Sequence, residues 1–228
     1  MLLLHVTDFH FRRRWYDWLA REARHYDAVA FSGDLRDLFP NVRNGLYEQA
    51  RWVRDWLQDF PVPLFVCTGN HDCWTSEIPV NDPFLHGGWI QQAARPGVCV
   101  DRTNIFFGGH RIICTPWAEA PLVPGSDPTI LVVHSPPFAT SISSDLGRDV
   151  GDPDVTSAVL QLPAGSLVLS GHVHHPARWH CRLGAAWCFN PGVDFTRDEP
   201  NHIIIDTTHG TATFRGFGQA VRLVRLAP

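Results

Sequence analysis

No stretch of the chain approaches the ~18 consecutive apolar residues of a membrane-spanning helix, so no span is expected. The opening MLLLHVTDFHFRRRW also lacks the order of an export leader. Its apolar run is short, and its arginines follow that run instead of preceding it. No CxxC pair occurs among the six cysteines. Cys67, Cys99, Cys114 and Cys188 sit in or beside apolar runs and read as buried thiols. Without a leader or paired spacings, no disulfide framework is expected, and a reduced, cytoplasmic location is. Excess positive charge is missing as well: the formal net charge is -4. That excludes the overall basicity of a dedicated nucleic-acid module, and no extended basic or aromatic tract argues for a long nucleic acid. Internal repeats, low-complexity tracts and linkers are absent, so residues 1–228 read as one domain.

What is present is an ordinary soluble composition, 44% hydrophobic and 18% charged, in a chain long enough to bury a core without staples. Met1–Val6 is a strand candidate. Arg13–Tyr26 repeats apolar residues at Trp15, Trp18, Leu19 and Ala23, the spacing of an amphipathic helix. DAVAFSGD reads as a buried strand. Asn44–Phe60 is a second helix with Leu46, Ala50, Val53 and Leu57 on one face, and VPLFVCTGNHD a third strand. This β-α-β-α-β order predicts an α/β fold around a parallel sheet. Further on, strands are expected in GVCVDRTNIFFGGHRIICTPW, DPTILVVHSPP and SLVLSGHVH, and a helix in DPDVTSAVLQL with Asp154 near its start. Hairpins are expected to turn near Gly184 and at His209-Gly210. Glu119–Pro128 reads as a surface loop, and the tail Gln219–Pro228 carries no pattern.

Five polar clusters follow strand-like runs: Asp8-Phe9-His10, Gly33-Asp34, Gly69-Asn70-His71-Asp72, His134, and Gly171-His172-Val173-His174. Ligands of open α/β sheets bind beyond the carboxyl ends of strands, so these side chains are expected to meet at one rim. The set offers carboxylates, an amide oxygen and imidazoles, without a thiolate. Mixed oxygen and nitrogen donors suit first-row divalent ions, Mn²⁺ first, with iron or Zn²⁺ as alternatives. Asp8/His10 and His172/His174 are each spaced i, i+2, which in extended backbone points both side chains to one side. Asp8, His10, Asp34, Asn70, His134, His172 and His174 are too many donors for one tetrahedral ion and suit two ions sharing a carboxylate. Such a pair can activate a bridging hydroxide and clamp both oxygens of an in-line phosphoryl displacement.

With these motifs in hand, the chain resembles the calcineurin-like metallophosphoesterase superfamily. The pattern D-x-H, G-D-x-x-D, G-N-H-[DE], H, G-H-x-H stands here as DFH, GDLRD, GNHD, VVHSPP and GHVH, and spans about three quarters of the chain. FNPG (Phe189–Gly192) matches the turn that commonly follows the last motif. The resemblance implies a four-layer α-β-β-α sandwich, two facing mixed sheets flanked by helices. It implies that Asp8, His10 and His174 hold one metal, that Asn70, His134 and His172 hold the other, and that Asp34 bridges them. It implies that His71 lies near the phosphate and protonates the leaving oxygen, a role suited to imidazole. Asp37 and Asp72 would orient ligands or His71 and so support catalysis.

The activity so implied is hydrolysis of a phosphate ester by a metal-bridging hydroxide. A phosphodiester is favoured, because His71 supplies an acid for a poor alkoxide leaving group. A phosphomonoesterase, including one acting on phosphoserine or phosphothreonine, is the alternative. A non-catalytic metal-binding scaffold ranks lower, since such proteins usually lose ligands and none is lost here. A metallo-β-lactamase-like hydrolase would carry H-x-H-x-D-H early, and this chain has none. His5 reads as a core or edge residue. His25, His86, His110, His180, His202 and His209 read as surface or turn residues. His175 is left between substrate contact and solvent, and Arg12, Arg13 and Arg14 between phosphate attraction and a solvated helix start. The nine tryptophans read as core and interface anchors rather than base-stacking platforms. Cys73–Gly97 is expected to form a lid or partner surface that sets specificity. Oligomeric state is not legible.

Overall fold

The computed structural model describes residues 1–38, 43–73, 84–216 and 222–226. In chain order the first elements are β1 (Leu2–Val6), α1 (Arg13–Glu22), β2 (Ala28–Ser32), α2 (Arg43–Gln58), β3 (Leu64–Cys67), α3 (Gly88–Gln91) and β4 (Val98–Cys99). Next come β5 (Asn104–Phe107), β6 (His110–Cys114), β7 (Thr129–Val132), β8 (Ser144–Asp145), β9 (Arg148–Asp149), α4 (Pro153–Val159) and β10 (Leu167–Leu169). The chain closes with β11 (His180–Leu183), β12 (Ala186–Phe189), β13 (His202–Asp206), β14 (Thr211–Arg215) and β15 (Arg222–Arg225).

Two mixed sheets carry the architecture. One has seven strands ordered β15-β14-β13-β1-β2-β3-β4, and the other six, ordered β11-β12-β10-β7-β6-β5. In the first, β1 through β4 are parallel and β13 joins β1 antiparallel. In the second, β6, β7, β10 and β12 are parallel, with antiparallel β5 and β11 at the edges.

Strand alternation explains the layers. Leu3, Ala28, Ala30 and Phe65 face Ile112, Ile130, Val132 and Leu169 across the space between the sheets. The opposite faces of the same strands, Leu4, Val6, Val29, Phe31 and Val66, pack on Trp15 and Leu19 of α1 and on Ala50, Val53 and Leu57 of α2. On the far side, Leu131 and Val168 meet Val155 and Val159 of α4. The result is the four-layer α-β-β-α sandwich implied by the resemblance. The apolar stripe expected of α2 is the buried one.

Some sequence expectations shift. The first helix stops at Glu22, and Ala23–His25 tightens into a 3-10 turn. Asp152 caps α4, its side chain accepting from Asp154 N and Val155 N, with Pro153 in the first turn. The tail holds a strand, β15, paired with β14. His202 lies buried in β13 against the Trp18 ring, not at the surface, and Cys99 is only half-buried. Part of the segment expected as a lid, residues 74–83, lies outside the described residues. Its described part buries Leu85, Trp89, Ile90 and Ala93 in apolar clusters.

Candidate metal centre

Five parallel strands, three from one sheet and two from the other, end at the same rim. β1 delivers Asp8 and His10, β2 Asp34, β3 Asn70 and His71, β7 His134 and β10 His172 and His174. The connecting turns are tight. Asp8 N donates to Gly33 O, His10 N to Asp34 O, and Gly171 N to His134 O, so each loop braces the next. Gly33 has φ +88°, and a Cβ there would stand 2.5 Å from His134 Nδ1, so no side chain fits.

The donor atoms converge in two overlapping groups. His10 Nε2 lies 3.1 Å from His174 Nε2, and Asp8 Oδ1 lies 3.8 Å from the first and 3.5 Å from the second. Asn70 Oδ1 lies 3.1 Å from His134 Nε2 and 3.0 Å from His172 Nδ1. Asp34 reaches both groups. Its Oδ1 is 3.3 Å from His134 Nε2, while its Oδ2 is 3.8 Å from His10 Nε2. All seven sequence-predicted donors are therefore brought together. Triads Asp8/His10/His174, His10/Asp34/His71 and Asp8/Asp34/His134 each keep their donor atoms within 4.8 Å of one another.

The electrostatics fit a cation. Asp8 and Asp34 are buried, and among the described residues neither forms an ion pair with an arginine; their ion-pair partners are imidazoles, and the buried Arg36 acts on Asp34 only from farther away. Two buried carboxylates without a permanent counter-charge are costly unless a metal or protons neutralise them. Burial alone would raise Asp8, but the His174 hydrogen bond and the charges of His134, His174 and His10 hold it below the ordinary carboxylate range. Burial opposes protonation of His134 too, yet Asp34 and Asp8, with the Ser32 carbonyl on Nδ1, push it up to about 9. His172 is driven down to about 4 by burial and by the charge on His134. Oxygen and imidazole donors without thiolate match first-row divalent ions.

The remaining predicted residues divide. His71 Nδ1 accepts Leu38 N–H at 3.2 Å, which places the proton of the neutral ring on Nε2. Nε2 lies 4.0 Å from Asp34 Oδ2, and Asp37 Oδ1 lies 4.0 Å from Nδ1. Asp72 points the other way. It accepts Leu35 N, Arg36 N and Gly69 N, locking the GDLRD and GNHD loops to each other. Arg12 covers the Phe195 ring at 4.4 Å and donates to Phe195 O. Arg13 covers Trp52 at 4.5 Å, and Arg14 pairs with Asp198 in solvent. His175 is mostly exposed, 3.7 Å from Asp145 Oδ1.

Sequence reasoning passed over three supporting groups. Buried Asn190, after β12, donates through Nδ2 to Gly171 O and Val173 O, the carbonyls on either side of His172. Its signal was the FNPG turn, read only as a match. Asp101, after β4, accepts Thr68 N and Thr68 Oγ1, fixing the strand end that leads to Asn70. Trp117, after β6, lays its ring 5.6 Å from that of His134 and 5.3 Å from that of His172.

The two-sheet sandwich walls in a cation-seeking donor set at its strand ends. The chain is a member of the calcineurin-like phosphoesterase family, which matches residues 1–176. It is similar to a probable cyclic nucleotide phosphodiesterase of Synechococcus sp., 27% identical over 157 residues and 65% of this chain; the chain spans 58% of that relative's length. The TT1561 protein of Thermus thermophilus aligns over 99% of both chains with a TM-score of 0.58 at 14% identity. Yfce, a phosphoesterase from E. coli, aligns over 100% of both with a TM-score of 0.53 at 15% identity. Purple acid phosphatase PPD1 of yellow lupin seeds covers 99% of this chain with 53% of its own, at a TM-score of 0.60 and 12% identity. At such identities the structural likeness is one of fold.

Proposed function

We propose that the protein is a dinuclear metal-dependent phosphoesterase that hydrolyses phosphodiesters, within one domain. The observation that carries this reading is Asp34, whose two carboxylate oxygens face different donor groups, one toward His134 and one toward His10. Asp8, His10 and His174 would hold one ion, Asn70, His134 and His172 the other, and Asp34 both. Bound divalent ions, Mn²⁺ first, would supply a nucleophilic hydroxide at neutral pH and neutralise charge on the phosphoryl oxygens. His71, with its proton on Nε2 toward the site, would donate to the leaving oxygen. Asp72 would act through the loops it locks, keeping His71 in register with Asp34. The diester preference rests on that acid, which an alkoxide leaving group needs, and on the likeness to the probable cyclic nucleotide phosphodiesterase. The free thiols of all six cysteines fit the reducing cytoplasm.

The test is Asp34→Asn, read by manganese stoichiometry and by turnover of bis-p-nitrophenyl phosphate, p-nitrophenyl phosphate and cyclic nucleotides. Loss of both ions and of all turnover is expected. Two ions retained with unimpaired turnover would refute the bridging role. A wild-type preference for p-nitrophenyl phosphate over every diester would refute the substrate class.

A further inference from the structure

Trp117 stands apart from the other aromatic side chains at the rim. It is half-buried, yet it belongs to none of the apolar clusters that absorb Trp15, Trp18, Trp52, Trp56, Trp89, Trp179 and Trp187. Its ring partners are the two histidines of the Asn70 half of the site, His134 and His172. Its place is fixed from below. Trp117 N donates to Thr68 Oγ1 at 2.9 Å, and the same hydroxyl donates to buried Asp101 Oδ2 at 2.8 Å. The strand end that carries Asn70 and His71 therefore also carries this indole. The next residue, Ala118, turns the chain away at φ +60° into an exposed segment.

An indole packed against two of the proposed ligand histidines offers a flat π surface beside the proposed phosphate site. Such a surface recognises planar heteroaromatic rings by stacking, and it does so without demanding a particular base. We propose that Trp117 is the nucleobase platform of this site, and that the substrates are nucleoside phosphodiesters. The inference rests on the phosphodiester reading above and adds the part of the substrate that reading leaves open. It also singles out one tryptophan from the general expectation that all nine serve as core and interface anchors.

The experiment compares adenosine 3′,5′-cyclic phosphate with the 3′,5′-cyclic phosphate of methyl riboside, the same ring without a base, on manganese-loaded protein. In wild type the KM for the adenosine substrate is expected to be about fivefold lower, the low end of a base–aromatic stack. Trp117→Leu should bring the two KM values together, and Trp117→Phe should keep most of the gap. Manganese stoichiometry is measured on each protein. Equal KM values in wild type, or a gap that survives Trp117→Leu, would overturn the proposal. So would an equal loss of turnover on both substrates with loss of metal, which is the signature of a ring that only packs the histidines. Hydrolysis of bis-p-nitrophenyl phosphate with neither cyclic diester turned over would overturn this proposal alone, whereas turnover of p-nitrophenyl phosphate with none of the three diesters hydrolysed would overturn the diester reading and this proposal with it.

Discussion

Replacing Asn190 by alanine should dismantle the support of His172 without touching a proposed ligand. Asn190 is fully buried, and its Nδ2 donates to Gly171 O at 2.9 Å, Val173 O at 3.1 Å and Ile142 O at 3.4 Å. Its Oδ1 accepts Gly192 N at 2.8 Å. Gly171 O keeps a second donor, Val173 N. Val173 O and Gly192 N, and the more weakly held Ile142 O, would lose the one hydrogen-bond partner each has among the described residues. A buried group left unsatisfied costs about 1–3 kcal/mol, so Asn190→Ala should cost about 4 kcal/mol in all. With a urea m-value of about 2.5 kcal/mol/M, the unfolding midpoint should fall by about 1.5 M. His172 sits at φ +67°, a conformation its neighbours must hold, so its release should weaken the ion proposed at Asn70, His134 and His172 before the one proposed at Asp8, His10 and His174. Manganese bound per protein should fall from two toward one at limiting metal. Asn190→Asp keeps the shape but turns a carboxylate oxygen toward three carbonyls, and should be worse than alanine at neutral pH. A midpoint within about 0.3 M of wild type, with two manganese retained, would refute the reasoning, since not even one unsatisfied group would be registered.

Three further outcomes are expected. Gly171→Ala would drive a Cβ into Thr7 Oγ1 and Asp8 Oδ2, and overpacking of this kind costs about 3 kcal/mol; an unchanged melting temperature and metal content would contradict it. His5 is buried, with Nδ1 unpartnered, and burial lowers it to about 3, so the folded state resists its protonation. Its contribution to stability is present above pH 6.5 and lost as pH falls from 6.5 toward 3, at up to about 1.4 kcal/mol per pH unit; His5→Gln should flatten the acid limb of stability between pH 6 and 4.5, read by urea titrations. Asp101 has the opposite sign. Burial raises it to about 7, so its contribution is present below pH 4 and lost as pH rises toward 7. Asp101→Asn should therefore gain on wild type as pH rises from 4 to 7, and a gap that does not change over that range would refute the shift.

The parallel strands and the metal-seeking residues were legible because both leave local signals. β1, β2 and β3 are apolar runs broken only by His5 and Ser32, each closed by a polar cluster, and strand polarity alone sends those clusters to one rim. What escaped depends on partners distant in sequence. Nothing in RLVR marks β15 as a strand, because its side chains lie largely exposed at a sheet edge and only β14 pairs with it. His202 reads like any histidine at the start of an apolar run; Trp18, from α1, is what buries it. Asp72 follows His71 in sequence and invites a pairing with it, but adjacent loop residues diverge, and its carboxylate meets Leu35 and Arg36 from the other loop. Asn190 and Trp117 each lie beyond a strand that supplies no proposed ligand, so no ligand motif points to them.

The backbone itself shows where the fold concentrates constraint. Among the described residues, nine other than glycine have positive φ, and five of them are Asp8, His10, Phe11, Asp34 and His172. Each such residue is disfavoured relative to ordinary backbone, though aspartate and histidine tolerate the region better than most. Four of the five are proposed ligands, so the strain falls where the side chain must leave the strand direction and turn into the rim. It is held by hydrogen bonds that cross between loops: Asp8 N to Gly33 O, His10 N to Asp34 O, Phe11 N to Leu35 O, and His172 N to Asp8 Oδ2. The bracing groups Asp72 and Asn190 clamp the same loops from outside. A proposed ligand set assembled on relaxed loops would have to be ordered by the metal itself, at the expense of affinity. Here hydrogen bonds between the loops supply part of that ordering from the protein itself. Removing a brace such as Asn190 should therefore lower metal affinity as well as stability.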